Sequence, residues 1–197
     1  MSSLGFIVNI AGNIFVLIVL LRFLLQLVRA DFYNPVSQLI VKITGPFVNT
    51  LRHLIPGYKN FDMASLLFAL IAEALVIYLT IYVTVWGAAS LPFVCLLFLS
   101  VYKLITLLLK IYFYGLIIIA IASWVAPYSN NPVLRLTAQI IEPIVSRVRR
   151  FVPPLGGLDF SFMVVFFIIM GIERYLPSFF NTLSHMLNLS YCSGMFT

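Results

Sequence analysis

The chain has 197 residues, of which 62% are hydrophobic and 9% charged, with mean hydropathy +1.10 and a formal net charge of +6. Ordinary soluble domains carry roughly a quarter charged residues, so this composition excludes a soluble globular protein and makes the bilayer the solvent. The basic balance belongs to membrane topology, because no soluble basic domain exists to carry a polyanion, and no nucleic-acid partner is expected.

Residues 4–28 form the first apolar stretch, interrupted only by Asn9, Asn13, Arg22 and Gln26. About 20 apolar residues cross a ~30 Å hydrocarbon core, so this run predicts a spanning helix. A cleaved signal peptide fits poorly, since no basic region precedes the run and the run is too long.

Residues 29–61 differ in character. Asn34 is placed as an N-cap with Pro35 at the first helical position. Val36, Leu39, Ile40, Ile43, Phe47, Leu51 and Leu54 then recur in steps of three and four, one helical stripe, with Lys42, Arg52 and His53 mainly off it. Pro46 lacks an N–H and crowds the preceding turn, so two short amphipathic helices meeting at a bend are expected. Such a segment suits an interface with anionic headgroups, or else caps the bundle without a lipid role. Pro56 closes it, and Asp62 stands at the start of the next apolar run, 62–86, as an N-cap or as a ligand-binding acid.

The same pattern returns 97 residues later. Asn34, Pro35, Pro46, Arg52, Pro56 and Asp62 are matched without a gap by Asn131, Pro132, Pro143, Arg149, Pro153 and Asp159. The offset divides the chain into 1–100 and 101–197. It predicts further spans at 101–125 and 159–183, a second amphipathic loop at 126–158, a connector at 87–100 and an outer tail. The fold expected is an all-α membrane protein with four transmembrane helices, as two tandem parallel repeats of helix, bent amphipathic loop and helix. A fifth span or re-entrant segment within 87–109 is the alternative.

Charge chooses between four and five. Arg29, Lys42, Arg52 and Lys59 lie in one loop and Arg135, Arg147, Arg149 and Arg150 in the other, whereas the 87–100 connector and the 184–197 tail hold no Lys or Arg. With both loops on one side the basic residues gather on one face, which predicts four spans with loops in the cytoplasm and both termini outside.

The run from Arg22 through Asp31-Phe32-Tyr33-Asn34-Pro35 to Leu51-Arg52-His53-Leu54-Ile55-Pro56 resembles the YggT family of bacterial inner-membrane proteins, related to plastid YlmG-type proteins. The second copy continues the resemblance, with Ala122-Ser123-Trp124-Val125, Arg149-Arg150-Phe151-Val152-Pro153 and Gly156-Gly157-Leu158-Asp159. The resemblance implies a multi-pass inner-membrane protein. Bacterial members are associated with osmotic or ionic stress tolerance and with cell-division gene neighbourhoods, plastid relatives with nucleoid distribution and cytochrome b6f assembly. It implies no catalytic site, and no cofactor is expected.

A search for chemistry finds no Gly-rich phosphate loop, no His-Glu-x-x-His and no Gly-x-Ser-x-Gly. His53, His185, Cys95 and Cys192 show no metal-like spacing. Cys95 and Cys192 both fall on the outer side, where a disulfide is possible, but two unpaired thiols are the preferred reading. Arg22 lies roughly 9 Å from the loop end of its helix, shallow enough to snorkel to phosphates. Arg22, Arg52, Arg149 and Arg150 are therefore candidate contacts for lipid or a partner. Glu73, Lys110 and Glu173 lie deeper, and their depths suggest a Lys110–Glu173 pair with Glu73 as the other candidate partner. That pair is either an inert lock on helix register or part of a cation or proton path. Two function classes follow: a non-enzymatic scaffold whose loops hold lipid or a membrane-protein partner, alone or as a homo-oligomer, and a small ion transporter.

Overall fold

Each loop helix begins where a side chain can satisfy its free amides. The computed structural model describes residues 3–53, 55, 61–84, 91–125, 129–152, 160–189 and 192. Their order is α1 (Ser3–Leu27), α2 (Pro35–Arg52), α3 (Met63–Thr84), α4 (Phe93–Val125), α5 (Pro132–Arg149) and α6 (Ser161–Met186). Asn34 Oδ1 accepts from the Val36 amide and Asn131 Oδ1 from the Val133 amide, both at 2.9 Å, with a proline opening each helix. The bounds of α2 and α5 are displaced by 97 residues at both ends (132 − 35 and 149 − 52).

The four long helices α1, α3, α4 and α6 are long and apolar enough to cross a membrane. α1 ends in a turn where Arg29 adopts a left-handed conformation (φ 55) and the Ala30 amide donates to Leu25 O at 2.8 Å. That geometry satisfies a terminal carbonyl and is usually glycine's.

Two expectations about helix extent are corrected. Pro46 and Pro143 lie inside continuous helices and do not split them. A proline removes one backbone bond, but Ile40, Thr44, Gly45 and Val48 anchor α2 to the bundle on both sides of Pro46, so the helix continues. The expected connector also shrinks, because Phe93–Ser100 forms the first two turns of α4. Pro92 stands just before that helix, where its missing N–H costs nothing. At 33 residues α4 is roughly 50 Å long, well beyond the hydrocarbon core.

Packing is tightest between α1 and α3, where Gly12 lets Val76 approach so closely that a Cβ there would lie within 3 Å of it. Val16, Val19, Ala69, Ala72 and Val76 are buried in this seam, with Leu104 of α4 against them. Leu116, Ile141, Val145, Val165 and Ile169 make the corresponding core of α4, α5 and α6. The two sets are joined by a cluster in which Leu136 and Ile140 of α5 are buried with Leu20, Phe23, Leu24 and Leu25 of α1 and Ile40 of α2. At the opposite end Ile77, Cys95, Leu99, Phe180 and Cys192 pack together, and Cys95 and Cys192 are disulfide-bonded. The preference for free thiols is thereby corrected. The signal was present in the sequence, since 192 − 95 is the repeat offset itself.

Candidate functional site

Two polar assemblies stand out in so apolar a chain. The first joins α1, α2 and the start of α3. Arg22, in the last two turns of α1, is buried, donating to Thr44 Oγ1 at 2.9 Å and to Asn49 Oδ1 at 3.1 Å. Arg52, in the last turn of α2, donates to Gln26 Oε1 at 2.6 Å and pairs with Asp62 at 2.5 Å. Asp62 also accepts from the Ser65 amide at 3.3 Å and from the Ser65 hydroxyl at 2.5 Å, so one carboxylate both opens α3 and clasps α2. Burial by itself raises the Asp62 pKa, but the bonds from Arg52 and Ser65 outweigh it and hold the carboxyl below the usual range.

This network corrects the lipid assignment of Arg22. Its guanidinium turns inward to α2, where two acceptors on one helix receive charge-assisted hydrogen bonds from it. Arg52 is likewise engaged inside the protein, although its side chain is partly exposed. Across the 97-residue offset Arg22, Thr44, Asn49 and Ser65 become Ile119, Ile141, Ser146 and Phe162, so the second half lacks most of the clasp. Pro56, Pro153 and Asp159 lie outside the described residues.

The second assembly lies between α1 and α4, two of the helices long and apolar enough to cross a membrane. A cleft of about 520 Å³ is lined by Asn9 and Asn13 of α1 and by Tyr102, Lys103, Thr106 and Lys110 of α4. Asn9 and Thr106, and Asn13 and Lys110, are 97 residues apart, so matching faces of the two helices confront each other. Behind the cleft Glu73 of α3 is almost fully buried, with its carboxylate 3.8 Å from the Lys103 ammonium. That distance makes an ion pair but no hydrogen bond, and Glu73 Oε1 has no hydrogen-bond partner among the described residues. A buried carboxylate satisfied this incompletely is costly in so apolar a helix.

The expected Lys110–Glu173 pair does not form. Lys110 is exposed in the cleft, Glu173 is half-buried on α6, and neither joins an ion pair among the described residues. Equal depth fixed only the position along each helix axis; azimuth decided the partner, and α3 presents Glu73 to Lys103.

The loop helices differ in where their basic residues go. On α5, Arg147 is exposed, Arg150 is exposed at the C-terminal cap, and Arg149 bonds Glu142 at 3.0 Å. Asn34 is buried and donates across to Pro132 O at 2.7 Å, whereas Asn131 is exposed. Asp31 reinforces that junction, pairing with Arg135 at 3.6 Å while its amide donates to Gln139 Oε1. Pro35, Pro46 and Pro132 are exposed and Pro143 half-buried.

The family model described as CCB3/YggT matches twice, over residues 1–83 and 98–180. An uncharacterized protein of Pseudomonas aeruginosa is 44% identical over 168 residues, covering 85% of each chain. An uncharacterized protein of Vibrio alginolyticus is 38% identical over 166 residues, 84% of this chain and 89% of that one. The uncharacterized protein YggT of Escherichia coli (strain K12) is 33% identical over 192 residues, 93% of this chain and 96% of that one. No solved structure matches. The chain is a member of the CCB3/YggT family.

Proposed function

We propose that the protein is a non-enzymatic scaffold or assembly factor of the bacterial inner membrane, serving envelope, division or osmotic-stress functions through anionic headgroups held at α5. The observation that carries this reading is the exposed Arg147 and Arg150 at the end of α5, where the first half instead consumes Arg22 and Arg52 internally. Cations at a helix C-terminus also complement its dipole. In this reading 1–100 and 101–197 are parallel repeats with both loop helices on the cytoplasmic side. Two independent features support that orientation: the gathering of Lys and Arg in the loops, and a disulfide at the opposite end, which suits an oxidising compartment.

The test is retention of spin-labelled phosphatidylglycerol by the protein in nanodiscs, wild type against Arg147→Gln with Arg150→Gln. Each basic residue near an anionic surface contributes about 1 kcal/mol, so the double variant is expected to hold the lipid about 30-fold more weakly. Equal retention, or equal retention of phosphatidylcholine by the wild type, sinks the reading.

A second reading is favoured by the polar cleft with Glu73 behind it: a small ion transporter or channel-like protein. The Thr80 hydroxyl, a further buried group without a hydrogen-bond partner among the described residues, lies two turns along α3 from Glu73 and extends the polar track. Proteoliposome flux that falls in Glu73→Gln is its expected signature, and a wild type without flux removes it.

A further inference from the structure

Identical residues at matched places of the two halves have opposite surroundings. Leu136 and Ile140 of α5 are 4% and 6% exposed, while Leu39 and Ile43, their counterparts on α2, are 56% and 39% exposed. What buries Leu136 and Ile140 is the cluster built on Leu20, Phe23 and Leu24 of α1. The counterparts of those three, Ile117, Ala120 and Ile121 of α4, line an open apolar groove of about 340 Å³ with Met163 and Phe167 of α6. The polar junction repeats the asymmetry. Asn34 donates to Pro132 O, while the matched pair, Asn131 and Pro35, are both exposed.

The chain therefore contains one copy of a seat and leaves both halves of a second copy open. We infer that a second copy of this chain fills it, its Leu39 and Ile43 seated on Ile117, Ala120 and Ile121 of the first, with its Pro35 carbonyl accepting from Asn131. The contact is head-to-tail, because the two patches differ, as the intramolecular contact between α5 and α1 is. All copies stand the same way up in one bilayer, so successive contacts are related by rotation about the membrane normal, which gives a ring where that rotation closes. Lipid is the competing cover for such a face, but lipid explains neither the match of residue types nor the paired Asn and Pro positions.

The experiment uses full-length chains carrying Pro35→Cys or Asn131→Cys, differently tagged and co-expressed, oxidised with copper phenanthroline in isolated membranes. The expected result is a reducible band at about twice 22.3 kDa that carries both tags, with none from either variant expressed alone. Ile43→Cys with Ile121→Cys is a second pair whose sites leave both helix starts intact, in case Pro35→Cys misfolds. The proposal is overturned if neither mixed pair cross-links, which leaves lipid on the face, or if a single variant cross-links to itself, which makes the contact symmetric.

Discussion

At Asp62 burial and bonding pull in opposite directions, and bonding wins. The carboxylate is fully buried yet held ionised by Arg52 and Ser65. Its folded pKa lies below the unfolded value of about 3.9, so its stabilisation is complete above that pH and lost as pH falls through the lowered folded value. The thermal midpoint in detergent should hold steady from neutral pH to about 4.5 and fall below it, and Asp62→Asn should remove that group's share of the fall. The same variant should lose about 2 kcal/mol at neutral pH, less than a fully buried pair, since Arg52 reaches solvent and can rehydrate. An unchanged midpoint in Asp62→Asn refutes the clasp. The cap role of Asp62 is visible in the sequence, because a helix start needs an acceptor there. The inward turn of Arg22 is not, since snorkelling and hydrogen bonding begin from the same depth and only the placement of Thr44 decides.

Among the elements, α1 and α3 show how little side chain a membrane seam tolerates. A Cβ at Gly12 would lie 2.4 Å from Val76 Cγ2, whereas one at Gly171 of α6 meets nothing within 4 Å. Gly12→Leu should therefore cost about 1–3 kcal/mol by overpacking, and Gly171→Ala should be neutral or slightly stabilising, both read as shifts in thermal midpoint. Equal shifts would show that the seam has room. Helix starts at Asn34 and Asn131 were legible because capping chemistry is local. The continuity through Pro46 and the early start of α4 were not, because tertiary anchoring outweighs one lost backbone bond and because apolar turns outside the core resemble a connector.

For the whole molecule, the Cys95–Cys192 bond closes α4, α5 and α6 into one covalent loop. Cys95→Ser with Cys192→Ser should lower stability by about 2 kcal/mol, the low end for a disulfide, because spanning helices already restrict the unfolded chain. Wild type should run faster on a gel unreduced than reduced, and the double variant should show no such difference. The four spans were legible from apolar length, and the loop charges argued against a fifth. The cross-contact at Lys103 and Glu73 was not legible, because tandem similarity says nothing about how the two copies turn toward each other.

The inward arginine also sets a timing problem for synthesis. Arg22 emerges 27 residues before Asn49, which completes its shell (49 − 22). At about 5–20 residues per second the gap lasts on the order of 1–5 s. Until α2 has followed α1, the inward shell of Arg22 is incomplete. An α1 segment released without α2 should therefore hold Arg22 at the headgroup level, which its flexible stem can reach, rather than turned inward.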